Sequence, residues 1–333
     1  TNQADGVFTD TSPPAFSQHE AGGVSIADVD GDGWKDVFLT GTAEDWLFMN
    51  GQGTFGSAVV PSPGGQGLGH GAAFADIDGD GVLEVYVPNY HCPECIPSAL
   101  SAAEASQDIY SALSNGTWVN RTAAVFGTTI DTQGMGFSAT WADYDNDGDL
   151  DLYVANDSQP NYLFQGDGTG AMVERGAVMG LAYGEQGNAQ AGMGIDAADM
   201  DADGDDDLVV TNFDDDVNTL YRNDGRTFRD VTVRTGLAGP TRNVLSWGVG
   251  FADFDRDGDL DLYIACGHVY PSAETDDPNT SYLQANQLYK REGKRLLLVE
   301  GAGEGLQVRA ASRGTAFGDY DADGDVDLLV TNL

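Results

Sequence analysis

A nine-residue pattern, D-x-D-x-D-G-x-x-[DE], occurs six times in the 333-residue chain, in the same register each time. The first repeat carries Asp28, Asp30, Asp32 and Asp36, with Gly33 at position 6 and Trp34 at position 7. The second carries Asp76, Asp78, Asp80 and Glu84, with Val82 at position 7. The third carries Asp143, Asp145, Asp147, Asp149 and Asp151, and the fourth Asp199, Asp201, Asp203, Asp205 and Asp207. The fifth carries Asp253, Asp255, Asp257, Asp259 and Asp261, and the sixth Asp319, Asp321, Asp323, Asp325 and Asp327. Successive first aspartates are 48, 67, 56, 54 and 66 residues apart. A fixed register with variable spacing implies a repeated core unit with insertions between its parts.

The pattern suits a hard divalent cation. Calcium takes six to eight oxygens at roughly 2.3–2.6 Å. Alternate residues of a tight loop can aim carboxylates at one centre, glycine permits the sharp turn, and the carbonyl of position 7 and the acid at position 9 complete the shell. Magnesium prefers water and near-ideal octahedra. Zinc would call for His or Cys, which the loops lack. An EF-hand opens in the same way but needs a bidentate Glu at position 12 and flanking helices. Position 12 here is Leu39, Val87, Val154, Val210, Ile264 and Val330, all apolar and all inside strand-like runs. The EF-hand and the similar helical dockerin loop are therefore rejected, and about six calcium ions are expected.

Charge points the same way. Fifty-four acids face 15 bases, a formal net charge of -39, and 29 of the acids lie in the six clusters. Such a surface repels nucleic acid and repels itself unless cations neutralise it. Hydrophobic content of 41% is enough for a real core. No apolar run is long enough to cross a bilayer. The chain begins with Thr1, which fits a mature secreted form or a piece cut at both ends.

Each unit reads as four short strands. A Gly-containing apolar stretch (GMGFSATWADY, SWGVGFADF) precedes the loop, and a β-branched and aromatic run (LDLYVAN, DLVVTN) follows it. A third segment (NYLFQGDG, NTLYRNDG) and a fourth (RTFRDVT, GTFGSAVV) close the unit. Four strands per unit of about 50 residues is a propeller blade. The fold class is therefore all-β, a β-propeller of four-stranded blades at 21–60, 68–127, 134–181, 191–237, 246–306 and 313–333, in a single domain 1–333. Residues 6–12 (GVFTDTS) resemble a fourth strand with no unit before it, a candidate closing strand; the chain stops after a second strand, so its C-terminal end is expected to be missing. Insertions are expected at 90–126 and 267–286, and Ser98–Ser114 is the one helix-like patch.

These segments resemble FG-GAP/VCBS repeats, the calcium-loop blades of integrin α-subunit propellers. Phrases such as FADFDRDGDLDLYIACGHVYP and NTLYRNDGRTFRDVTVRTGL resemble more closely the ASPIC/UnbV group, which includes the cartilage acidic proteins. The resemblance covers essentially the whole chain. It implies a seven-bladed propeller, structural calcium in the blade hairpins, and an extracellular or periplasmic location. Two departures from the group are read in the sequence as it stands: six loops are visible, and the small C-terminal domain usual in the group is not seen within these 333 residues.

Outside the loops, His91, Cys92, Glu94 and Cys95 form HCPEC, and with Cys266 and His268 they are a candidate transition-metal set. The alternative is a local Cys92–Cys95 link or free thiols. His70 and His268 are the candidate catalytic residues, and His268 has an alternative role in packing or in a turn. Sequons at Asn115, Asn120 and Asn279 matter only in a eukaryotic secretory host. No nucleophile elbow or phosphate-gripping loop is present. The first functional reading is an extracellular interaction or adhesion module that binds a protein or polysaccharide on its loop face, through the insertions. Alternatives are a carbohydrate-active lyase or dehydratase, or a rigid subunit of a larger assembly.

Overall fold

In a computed structural model, residues 16, 21–41, 45–56, 68–90, 108–111, 118–127, 135–301 and 303–333 are described. They fall into two compact units, one of residues 1–141, 147–154 and 163–175, the other of 142–146, 155–162 and 176–333. HCPEC, the segment 6–12 and Asn115 lie outside the described residues.

Both units are built from antiparallel sheets in which consecutive strands pair side by side. In the first unit, Ala21–Ala27, Asp36–Gly41 and Trp46–Phe48 form one sheet. A second sheet joins Ala73–Ala75, Glu84–Val87, Asp108–Ser111 and Val119–Asn120. In the second unit the clearest sheets are Gly192–Ala198, Asp207–Asn212, Thr219–Asn223 and Phe228–Asp230, then Ser246–Ala252, Asp261–Cys266, Gln287–Glu292 and Arg295–Leu298. Ser312–Gly318 pairs with Asp327–Asn332.

In the four-stranded sheets the second strand is the core, whereas Asp327–Asn332 of the last, two-stranded sheet is half-buried to exposed. All six residues of Asp207–Asn212 and of Asp261–Cys266 are buried. A half-solvated strand would alternate; these strands are covered on both faces, so apolar residues run consecutively after the leading Asp, 208–210 in one and 262–266 in the other. In the second unit Val209 and Leu220 of one sheet share a cluster with Val249, Leu262, Ile264 and Tyr289 of the next. In the first unit Phe38 and Leu47 pack with Val85, Val87 and Trp118.

Adjacent first strands approach closely where the sequence places glycine. A Cβ on Gly194 would lie 2.1 Å from the Trp247 carbonyl oxygen, and one on Gly23 2.4 Å from that of His70. A threonine of the second strand stitches the same seam: Thr211 Oγ1 donates to the Trp247 carbonyl at 2.6 Å, and Thr40 Oγ1 to that of Gly69 at 2.9 Å.

Two expectations change. The helix-like patch Ser98–Ser114 holds a strand, Asp108–Ser111, paired with Glu84–Val87; the edge of a central strand offered stronger backbone pairing than a short helix would. Strands Asp108–Ser111 and Val119–Asn120 therefore belong to the blade's sheet rather than to an insertion spanning 90–126. Among the described residues the α-helices are turns of four or five residues; Thr122–Phe126 and Thr232–Thr235 each follow a fourth strand. They are too short for a 3.6-residue period to show in the sequence.

Asp45, at the turn into the third strand of the first sheet, is buried, and one of its carboxylate oxygens has no partner. Burial pushes its carboxyl up to about 6, against the pull of the Gly41 N–H. The folded state therefore prefers the protonated form. This group's contribution is fully present below about pH 4 and is lost as pH rises through about 6, an effect of about 2–3 kcal/mol. Asp45→Asn is expected to be more stable than the wild type at pH 7.5 by about that amount and equal to it near pH 4, as read from urea unfolding at both pH values. Equal stability at pH 7.5 would refute the assignment.

Candidate metal centres

Each acidic loop connects the first and second strands of its sheet. Two left-handed residues shape it. Position 6 is glycine throughout, with φ between 85° and 97° at Gly33, Gly81, Gly148, Gly204, Gly258 and Gly324. Position 4 is also left-handed, in Gly31 and Gly79 but also in Asn146, Ala202, Arg256 and Ala322. A non-glycine residue held there costs on the order of 1 kcal/mol, so the loop geometry is imposed rather than relaxed. Two glycines at position 4 were the only sequence signal of this.

Backbone N–H groups fix the carboxylates. The position-6 N–H donates to the position-1 aspartate in Asp28, Asp76, Asp199, Asp253 and Asp319, at 2.9–3.0 Å. The position-7 N–H donates to the position-5 aspartate in Asp32, Asp80, Asp147, Asp203, Asp257 and Asp323, at 2.8–3.1 Å. These N–H groups belong to Trp34, Val82, Asp149, Asp205, Asp259 and Asp325. In the third repeat the boundary between the units runs through the loop, with Asp143 and Asp145 in the second unit and Asp147, Asp149 and Asp151 in the first.

The position-9 acid is the deep member. Asp36, Glu84, Asp151, Asp207 and Asp261 are all buried. One oxygen accepts from position 2: Asp36 from Val29 at 2.9 Å, Glu84 from Ile77 at 3.2 Å, Asp261 from Phe254 at 3.3 Å and Asp327 from Tyr320 at 3.0 Å. The other accepts from the third strand or the residues just after it: Asp36 from Asn50, Asp207 from Asn223 and Asp261 from Arg291, at 2.8–2.9 Å. So this residue locks the loop to its sheet as well as facing the loop centre. Asn50 and Asn223 close the loop from outside, donating to the carbonyls of Lys35 at 2.9 Å and Asp206 at 3.3 Å. Sequence reasoning gave these asparagines no role, since they stand far from the pattern they serve.

Ligand-grade oxygens of Asp28, Asp30 and Asp32 lie within 4.8 Å of one another, as do those of Asp76, Asp78 and Glu84, of Asp199, Asp201 and Asp203, and of Asp253, Asp255 and Asp261. Oxygens across a calcium ion stand roughly 4.6–5.2 Å apart, twice the bond length. Buried oxygens Oδ1 of Asp28, Asp78 and Asp201 meet no hydrogen-bond partner. A buried, unpaired carboxylate oxygen is costly, and a bound cation removes that cost. Burial, and then the neighbouring Asp201 and Asp203, push the Asp207 carboxyl up to about 7 despite its bond from Asn223. Burial also raises Asp36 and Asp261. The residues present fit a hard divalent cation.

Among the described residues, the other candidates have partners within the fold. Cys266 is fully buried in the core of the second unit, and burial pushes its thiol up to about 12. His268 accepts the Tyr270 N–H at Nδ1, 3.0 Å away, and its Nε2 lies 3.1 Å from Asp214. His268 thus pins the root of the 267–286 segment to a loop of the preceding sheet. His70 stacks on Phe137 with ring centroids 4.4 Å apart, and burial lowers its imidazole to about 4.

Connections between second and third strands leave a sheet at the end opposite its acidic loop. Residues 267–286 therefore lie at the far end of their blade from Asp253–Asp261. The loop face and the insertion face expected as one surface are two. An open cleft of about 670 Å³ lies beside this segment in the second unit, with Asn243, Asn279, Gln284, Asn286, Gln307 and Arg309 among its lining residues. Among the described residues no helix is long and apolar enough to cross a membrane.

Human cartilage acidic protein 1 is 27% identical over 340 residues, which is 95% of this chain and 48% of the relative. The mouse protein matches equally, at 49% of its length. The chain thus spans about half the length of these curated relatives. A crystal structure of a Lactobacillus plantarum protein superposes with a TM-score of 0.52 at 11% identity, covering 94% of this chain and 83% of the other, a likeness of fold alone. The FG-GAP-like repeat family matches residues 28–87, 143–210 and 199–264, each match beginning on the first aspartate of an acidic loop and reaching the second strand of the sheet that follows. With more than half of its residues matched, the chain belongs to the FG-GAP-like repeat proteins, an all-β fold of β-propeller type built from four-stranded blades.

Proposed function

We propose that the chain is a secreted, calcium-loaded interaction module, in which structural calcium stiffens one end of each blade and the other end recognises an extracellular protein or polysaccharide. The observation that carries the calcium reading is the set of buried carboxylate oxygens without partners in the first, second and fourth loops. The aspartates at positions 1, 3 and 5, the carbonyl of position 7 and the acid at position 9 would hold each ion. Metal analysis of protein equilibrated with calcium and then freed of excess is expected to find about six calcium ions per chain, undiminished by magnesium. A metal-free result would sink this reading.

For recognition, the amide-lined cleft beside residues 267–286 supplies paired donors and acceptors without concentrated charge, which suits hydroxyls or peptide groups. Asn286 is anchored there by the Cys266 N–H at 2.9 Å, and Gln284 by the Leu245 N–H at 3.0 Å. Replacing 272–283 by a short Gly-Ser linker is expected to abolish binding on an array of extracellular-matrix proteins and polysaccharides, with the melting temperature within a few degrees of wild type. Retained binding would remove this face from consideration.

A further inference from the structure

The acidic loops differ in the charge that faces position 3. In the fifth, Lys290 Nζ bonds to Asp255 and lies 3.0 Å from Asp257. In the second, Arg121 Nη1 lies 3.1 Å from Asp78 and 2.8 Å from Glu84. In the fourth, Arg222 lies 3.8 Å from Asp201. Lys290 and Arg222 occupy the same place, one residue after a buried tyrosine that pairs with the residue following the position-9 acid: Tyr289 with Leu262, Tyr221 with Leu208. In the first repeat Phe48 pairs with Val37 in that register, and the next residue is Met49. Arg256 and Arg291 also bond to loop acids, Asp325 and Asp259. Those acids stand at position 7, which would offer a backbone carbonyl, so these arginines leave the ligand carboxylates open.

We propose that Lys290 and Arg121 are tethered counter-ions, held on the ligand carboxylates of the fifth and second loops, so that these loops take calcium more weakly than the first. The inference rests on the calcium reading above. A calcium ion entering either loop must displace a cation already paired with position 3, and afterwards keeps a like charge within a few ångströms. The second loop is the weaker of the two. Its arginine pairs with Glu84, which is fully buried, and separating a buried pair costs more than separating an exposed one. The chain then loads in stages, filling the first loop while the second and fifth remain closed by their own side chains.

The test is a calorimetric calcium titration of the whole chain, wild type against Lys290→Met and Met49→Lys. Lys290→Met is expected to tighten one site about tenfold, equivalent to ~1.4 kcal/mol. Met49→Lys, whose longer stem covers the same apolar surface, is expected to weaken the first loop similarly. The part of the terbium emission lost on Trp34→Phe, at position 7 of the first loop, reads that loop separately. Lys290→Gln repeats the first substitution with a polar side chain, and melting in excess calcium checks that every variant is folded. Affinities of the lysine variants and of Met49→Lys within twofold of wild type, with wild-type binding intact, overturn the counter-ion inference alone. A wild type that binds no calcium overturns the calcium reading itself.

Discussion

Moving the chain from excess calcium into a chelator is expected to lower its melting temperature by about 20 °C. An ion held at a hundredfold excess over its dissociation constant contributes ~2.7 kcal/mol, and each kcal/mol moves the midpoint of a large domain by about 2–4 °C. A few ions therefore account for the shift. The cause is local. Without a cation, Asp201, Asp203 and the buried Asp207 crowd one another in the fourth loop, and Asp207 is pushed up to about 7. Oxygens of Asp28, Asp78 and Asp201 stay buried without partners. The net charge of -39 adds general self-repulsion. Calorimetry in calcium, in magnesium and in chelator checks this. Restoration is expected from calcium and not from magnesium; identical melting in all three would leave the loops as acidic turns.

The second large effect is steric. Gly194→Ala is expected to destabilise the fold by about 3 kcal/mol or more, the upper range for forced overpacking, and to lower the melting temperature by roughly 5–10 °C. The new Cβ would sit 2.1 Å from the Trp247 carbonyl oxygen and 3.0 Å from Thr211 Oγ1. Neither can retreat cheaply, because one is backbone and the other already donates to that same carbonyl. Gly204→Ala is the informative companion: its position is open, so its penalty comes from a φ of 97° rather than from collision. Urea unfolding of both variants in saturating calcium checks this, and a Gly194→Ala midpoint equal to wild type would refute the seam.

The acidic loops were legible in the sequence because all the residues of a loop lie within nine positions of one another. Their spacing carries the geometry directly, and the apolar residue at position 12 correctly placed a strand where an EF-hand would have a ligand. The Gly-containing stretch before each loop was legible as a pattern, though its reason, close approach to the neighbouring strand, needed coordinates. What remained hidden was whatever reaches the loop from elsewhere in the chain. Arg121 stands 43 residues from Asp78, and Lys290 35 residues from Asp255. No periodicity links such pairs, so the loops looked alike. The strand at Asp108–Ser111 was hidden for a related reason: its edge-pairing with Glu84–Val87 is a tertiary fact, and the surrounding alanines and serines suggested a helix. His70 and His268 stood out by residue type alone, whereas their surroundings, an aromatic stack and an aspartate latch, are assembled by the fold.

In the described sheets with three or more strands, the acidic loop and the connection between second and third strands leave from opposite ends, separated by a strand of four to six residues, or roughly 13–20 Å. That separation divides the labour of selection. On the proposed reading, substitutions and insertions at the recognition end can accumulate without disturbing a cation ligand, while the acidic-loop end tolerates almost no change of spacing. A lineage of such chains would therefore keep its mineral chemistry and its folding constant while trading one recognition surface for another. Related proteins should differ most in length between the second and third strands, and least between the first and second.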